Sequence, residues 1–183
     1  MAARWVRKVA AIPDGAGRIA VVADTHSQLH PATLGLLAKI RPDAILHAGD
    51  IGDLAVLSDL ARIAPVHAIR GNIDSTTHDL GDVLVATQRS LRIVMVHIGV
   101  YGAKLRTEIE TIAQKERANL VICGHSHVPL IASCRGIAVF NPGSCGPRRF
   151  GLPIVFGTIE VAPTGARFAH IDCETGNAWL PPA

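Results

Sequence analysis

Charged residues make up only 18% of this 183-residue chain, and its 18 Lys and Arg residues are scattered, with a formal net charge of +3. Nothing in that balance demands a nucleic-acid groove or an anionic membrane surface, while phosphate-bearing small molecules remain compatible with it. The four cysteines, Cys123, Cys134, Cys145 and Cys173, form no CxxC pair. With no secretory leader before them, they argue against a disulfide framework and for reduced thiols in a cytoplasmic protein. Arg4, Arg7 and Lys8 are not followed by an apolar stretch of signal length, and no later run approaches transmembrane length, so a soluble chain with no membrane partner is expected. Internal repeats and low-complexity tracts are also missing. What is present is a hydrophobic content of 49%, enough for one core and too much for disorder. One domain over residues 18–183 is expected, preceded by an extension over residues 1–17. Pro13-Asp14-Gly15 interrupts that extension, which reads equally as an arm or as an extra edge strand.

From Arg18 onward, strand-like and helix-like runs alternate. Ile19 to Ala23 and Ala44 to Ala48 are short and almost wholly apolar, as strands buried on both faces are. Pro31 opens a helix that Arg41-Pro42 stops, Asp53 to Ile63 is a second, and Pro65 to Ile69 a third strand. Val83 to Thr87 and Leu91 to Val96 read as a hairpin, and Lys104 to Ala118 as an amphipathic helix with Leu105, Ile109 and Ile112 on one face. Asn119 to Cys123 is a further strand. Leu130 to Cys134, Ile137 to Phe140, Pro153 to Val161 and Arg167 to Ile171 are strands separated by turn residues. A βαβαβ opening followed by hairpin-rich structure predicts an α/β fold with two packed mixed sheets flanked by helices.

Five polar clusters each follow an apolar run: Asp24-Thr25-His26, Gly49-Asp50, Gly71-Asn72, His97 and Gly124-His125-Ser126-His127. Ligands in open α/β sheets collect at the carboxyl ends of strands. Residues i and i+2 leave a strand end on the same side, so Asp24 and His26 can meet one ion, and His125 and His127 can face one metal each. Taken singly, Asp24 is as well explained as a helix cap, Asp50 and Asn72 as turn formers, and His97 as a core histidine. Their coincidence at five strand ends favours ligation, and mixed carboxylate, amide and imidazole donors suit a pair of divalent transition metals better than one structural zinc. His30, His47, His67, His78 and His170 lack partners in the pattern and read as structural.

Asp-x-His, Gly-Asp, Gly-Asn, His and Gly-His-x-His in this order resemble the calcineurin-like metallophosphoesterase superfamily, in particular its small bacterial and archaeal phosphodiesterase branch. Asn141-Pro142-Gly143-Ser144 resembles that branch's turn near the end. The resemblance implies a four-layer α/β/β/α sandwich. It implies that Asp24, His26, Asp50 and His127 hold one metal and Asp50, Asn72, His97 and His125 the other, with Asp50 bridging. It further implies a small-molecule phosphoester as substrate and two divalent ions as cofactors, Mn²⁺ foremost, with Fe, Zn, Ni or Co as alternatives. A metal-bridging hydroxide would attack phosphorus in line. A homo-oligomer is compatible with all of this.

Two departures from the superfamily pattern bear on substrate. Many members carry Gly-Asn-His-Glu, whose histidine serves the leaving group or transition state, whereas Gly71-Asn72 is followed by Ile73-Asp74 here. The branch often shows His-Gly-His where this chain has His97-Ile98-Gly99. Asp74 is a candidate proton donor, although a turn carboxylate is its simpler role, and Arg148 and Arg149 are candidates to steady a phosphate. The main rival function is a binding scaffold resembling the small subunit of the retromer sorting complex, in which the metal site is vestigial. All seven ligand positions are filled here, which favours an enzyme. A DNA-repair nuclease would need a region that the short stretch after His127 does not provide, and Ile73 argues against relatives that cleave diadenosine-type nucleotides.

Overall fold

The computed structural model describes residues 5–15, 17–76, 79–163 and 165–181. A strand, β1 (Arg7–Ala11), precedes the alternating run β2 (Arg18–Val22), α1 (Thr33–Ile40), β3 (Ala44–His47), α2 (Ala55–Ala61) and β4 (Val66–Ala68). The hairpin of β5 (Val83–Gln88) and β6 (Leu91–Val96) follows, then a small ribbon of β7 (Val100–Tyr101) and β8 (Lys104–Leu105), α3 (Thr107–Lys115) and β9 (Leu120–Ile122). The chain continues through β10 (Leu130–Cys134), β11 (Ile137–Asn141), β12 (Val155–Ala162), β13 (Gly165–Asp172) and β14 (Ala178–Trp179).

Two six-stranded mixed sheets result, a first in the order β1-β5-β6-β9-β11-β10 and a second in the order β14-β13-β12-β2-β3-β4. Strand parity divides the apolar side chains among three layers, because successive residues point to opposite faces. Ile19, Val21, Ala44 and Leu46 meet Ile93, Met95, Leu120 and Ile122 between the sheets. Ala20, Val22 and Ile45 face the other way, onto Leu37 of α1 and Val56 and Leu60 of α2. Val94, Val96 and Val121 pack on Ile109 and Ala113 of α3. The near-continuous apolar runs of β2 and β3 are thus explained by burial on both faces, and the architecture is the α/β/β/α sandwich.

The element boundaries depart from expectation where a local contact takes over. Asp53 lies outside α2 because its Oδ1 accepts the Ala55 N–H at 2.9 Å. The helix expected from Lys104 begins at Thr107, with Arg106 extended (φ −66°, ψ 143°) and Lys104 and Leu105 in the ribbon. Leu105 nonetheless joins Ile109 in the same apolar layer, so its helical spacing was met by a different backbone. Arg7–Ala11 pairs in parallel with β5, which settles the strand alternative for that segment. The β14 pairing with β13 had no counterpart in the sequence reading. His78 lies outside the described residues.

Candidate metal centre

Strands β2, β3 and β4 are parallel neighbours in the second sheet, and β6 and β9 are parallel neighbours in the first. Their carboxyl ends converge, and the five polar clusters lie just beyond them. Asp24, His26 and His127 place donor atoms within 4.8 Å of one another, as do Asp50, His97 and His125. Asn72 joins the second trio, its Oδ1 lying 3.2 Å from His97 Nε2. Asp50 stands between the trios, with Oδ1 3.1 Å from His97 Nε2 and Oδ2 3.8 Å from His26 Nε2.

The backbone is bent to achieve this. Asp24 (φ 55°), His26 (45°), Asp50 (53°), His125 (68°) and His127 (59°) all occupy the left-handed region, which costs a non-glycine residue on the order of 1–3 kcal/mol unless its surroundings enforce it. Cross-loop hydrogen bonds provide the enforcement. Asp24 N–H donates to the Gly49 carbonyl at 2.9 Å, His26 N–H to Asp50 at 3.0 Å, and Gly124 N–H to His97 at 3.0 Å. Two glycines permit the close approach. A Cβ on Gly71 would fall 2.1 Å from Asp50 Oδ1, and one on Gly49 2.7 Å from His97 Nδ1.

Further residues brace the loops. Asp74 accepts from Gly52 N–H at 2.9 Å, Ile51 N–H at 3.0 Å and Gly71 N–H at 2.7 Å. It is a buried loop anchor, and three backbone donors hold it as an acceptor, so the geometry is that of the turn carboxylate and not of a proton donor. Asn141, in the turn singled out in the sequence, donates Nδ2–H to the Gly124 carbonyl at 2.8 Å, and Ser144 donates Oγ–H to the Asp24 carbonyl at 2.9 Å. His47 is fully buried against Thr25 Oγ1 at 3.1 Å, and His170 reaches the Asn141 carbonyl at 2.7 Å. Neither belongs to a ligand trio. Arg148 is held by Glu174 and by the Leu152 carbonyl. Arg149 is the arginine whose charge reaches Asp24, His26 and His127.

Electrostatically the cluster asks for positive charge. Burial pushes the Asp24 carboxyl up to about 7, against the lowering influence of His97. Asp50 is also penalised by burial, but its hydrogen bond to His97, that ring's charge and the Ile73 N–H bring it down to about 2. Burial alone would lower His97, yet the Asp50 hydrogen bond and both carboxylate charges raise it. His97 thus sits where two carboxylates favour positive charge. His97 Nδ1–H donates to the Ala48 carbonyl at 2.7 Å, which fixes the ring and directs Nε2 into the cluster. His26 and His125 are lowered by burial first, and His127 is lowered to about 4 by burial, His26 and Arg149. These rings are neutral near pH 7, as ligands must be. His26 Nε2 and His127 Nε2 approach to 3.3 Å, and His127 Nδ1 is buried without a hydrogen-bond partner. That ring stacks on His26, and its Nε2 faces Asp24 Oδ1 at 3.5 Å. The donor set fits divalent metal.

A metal-binding phosphoesterase fold is the class these features define, and the chain belongs to the calcineurin-like phosphoesterase superfamily, whose domain it matches over residues 18–164. It is 29% identical over 131 residues to a probable metallophosphoesterase of Methanocaldococcus jannaschii, covering 69% of this chain and 67% of the relative. Among solved structures it resembles Vps29 of Entamoeba histolytica in complex with zinc, with a TM-score of 0.74 and 19% identity over 88% of this chain and 96% of the other. It also resembles an archaeal phosphodiesterase, with a TM-score of 0.64 and 19% identity over 84% and 99%.

Proposed function

We propose that the protein is a two-metal phosphodiesterase acting on small phosphate diesters. The observation that carries this reading is Asp50, whose two carboxylate oxygens face His97 of one trio and His26 of the other. Asp24, His26 and His127 would hold one ion and Asn72, His97 and His125 the second, with Asp50 shared. When bound, two divalent ions, Mn²⁺ foremost, supply Lewis acidity toward the phosphoryl group and acidify water near neutral pH. Asn72 adds a donor without adding charge, and Arg149 brings a cation to the side of Asp24 and His127. Neither residue after Asn72 supplies an acid for the leaving oxygen, since Ile73 has no proton to give and Asp74 is committed to backbone N–H groups. Diesters with good leaving groups suit such a site, and the likeness to an archaeal phosphodiesterase supports the preference. The four unpaired thiols support a cytoplasmic location.

The likeness to zinc-bound Vps29 favours a second reading, a protein-binding scaffold that retains metal. Metal analysis coupled to a hydrolysis screen over aryl and alkyl mono- and diesters separates the two. Two equivalents of metal with turnover of aryl diesters supports the enzyme, and two equivalents without turnover supports the scaffold.

A further inference from the structure

A cleft of about 500 Å³ adjoins the candidate metal centre, with Asn72 and His97 among its lining. Arg70, Asp82, Ile98, Arg106 and Glu108 contribute to its sides, and Trp5 lines it from the segment ahead of β1. Trp5 precedes the stretch matched by the superfamily domain. Trp5 is 39% exposed, so it has area left to give to a ligand.

The position of Trp5 is tied to the catalytic edge through one carboxylate. Asp82 Oδ2 accepts the Val6 N–H at 2.6 Å, and Asp82 N–H returns a bond to the Val6 carbonyl at 2.7 Å. The other oxygen of Asp82 accepts Arg70 Nε–H at 2.6 Å, and Arg70 directly precedes Gly71-Asn72. Asp82 therefore holds both the residue after Trp5 and the loop that carries Asn72.

The contents of the cleft indicate what it takes. Its volume is that of an organic ligand and exceeds the needs of a bare phosphate. Both of its arginines are already paired, Arg70 with Asp82 and Arg106 with Glu108 at 2.8 Å, which disfavours a second anionic group. An indole, the Ile98 side chain and paired guanidinium planes suit a flat, uncharged ring. We propose that Trp5 stacks against the planar aromatic ring, nucleobase or aryl, of a phosphate ester whose phosphorus lies at the Asn72 and His97 end. This rests on the phosphodiesterase reading for the position of the phosphorus.

Trp5 and Trp179 are the two tryptophans of the chain, and Trp179 lies on β14 of the other sheet, edge-on to His170. In the full chain carrying Trp179→Phe, fluorescence therefore reports on Trp5 without requiring turnover. With Mg²⁺ present, adenosine 5′-monophosphate and phenyl phosphate should each quench it saturably. Adenosine 5′-monophosphate should bind about tenfold more tightly than ribose 5-phosphate, since stacking of a base on an aromatic side chain is commonly worth that much or more. The two aromatic probes distinguish a nucleobase from a simple aryl ring by their relative affinity. By calorimetry, Trp5→Ala should erase the advantage over ribose 5-phosphate and Trp5→Phe restore most of it. Absent quenching, equal affinity for ribose 5-phosphate, or an advantage that survives Trp5→Ala overturns the proposal. Should Trp5→Ala fail to fold, Trp5→Phe and the contrast between the probes still decide. Turnover of bis(4-nitrophenyl) phosphate by the Mn²⁺-loaded wild-type protein is measured alongside. Turnover without ring-dependent quenching rejects the stacking and leaves the phosphodiesterase reading standing, whereas ring-dependent quenching without turnover supports the stacking and rejects that reading.

Discussion

Around the metal centre the first sheet contributes imidazoles, from His97 after β6 and His125 and His127 after β9, whereas the second contributes both carboxylates, the Asn72 amide and the single imidazole of His26. The two edges also differ in how they are held. Loops of the second sheet are laced to one another by backbone bonds and by Asp74, and Asp24 and Asp50 are almost fully buried. On the first sheet, His125 is exposed and His127 Nδ1 has no partner, and the loop between them is steadied from outside by Asn141. Both carboxylates come from the second-sheet edge, and the first-sheet edge supplies imidazoles. The carboxylate charge of the site thus comes from the second sheet, and the first sheet adds imidazole donors to each trio.

If this division holds, the largest effect belongs to the shared carboxylate. Asp50→Asn retains an oxygen for the Ile73 N–H but removes charge from both trios, so both metals should be lost or weakened and kcat/KM should fall about a thousandfold or more, with the circular dichroism spectrum preserved. His127→Ala, on the other edge, should deplete only the site of Asp24 and His26, with a loss of affinity of about ten- to a hundredfold. Metal analysis and anomalous scattering at each site read both variants. Equal depletion of the two sites in His127→Ala, or two full metals in Asp50→Asn, would break the comparison.

The next effect concerns stability alone. Asp74→Ala leaves the Ile51, Gly52 and Gly71 N–H groups without their acceptor, and each buried donor so orphaned costs about 1–3 kcal/mol. Solvent reaching Gly52 and Gly71 will offset part of this, so a loss of about 3 kcal/mol is expected by urea denaturation of the metal-free protein. A neutral result would mean that the second-sheet edge is held by its strands and not by this anchor.

The residues of the two trios were legible because each is a polar residue at the end of an apolar run, a pattern that depends only on strand burial. The bracing was not. Asp74, Asn141 and Ser144 act on backbone groups distant in sequence, and no local pattern marks such pairings. The left-handed conformations of Asp24, Asp50 and His127 were equally silent, since aspartate and histidine carry no signature for positive φ in the way that glycine does. The ribbon at Val100–Tyr101 and Lys104–Leu105 was hidden because Leu105 occupies a helical spacing while serving another element. Trp5 was passed over because the Pro13-Asp14-Gly15 interruption separates it from the alternating pattern, and the pairing of β1 with β5 and the bonds between Val6 and Asp82 bring it to the cleft.

The smallest effect tests what the oxygen-rich edge leaves undone. Ile73 follows Asn72, its N–H bonds Asp50 Oδ1 at 3.2 Å, and the residue is 48% exposed beside the cluster. It offers no proton, so this position gives an alkoxide leaving group no help, while an aryl oxide with its lower pKa needs little. With Mn²⁺, kcat/KM over a matched ester series should fall steeply as the leaving-group pKa rises, and alkyl monoesters should be the poorest substrates. Ile73→His places a titratable ring on the second-sheet edge without disturbing the backbone bond to Asp50. It should raise the alkyl-ester rate several-fold and change the aryl-ester rate little, flattening the dependence and adding a basic limb to the alkyl pH profile as the new imidazole loses its proton. A wild-type dependence that is already flat, with rapid alkyl monoester turnover, would show that another group protonates the leaving oxygen and that the two edges together carry more chemistry than metal ligation.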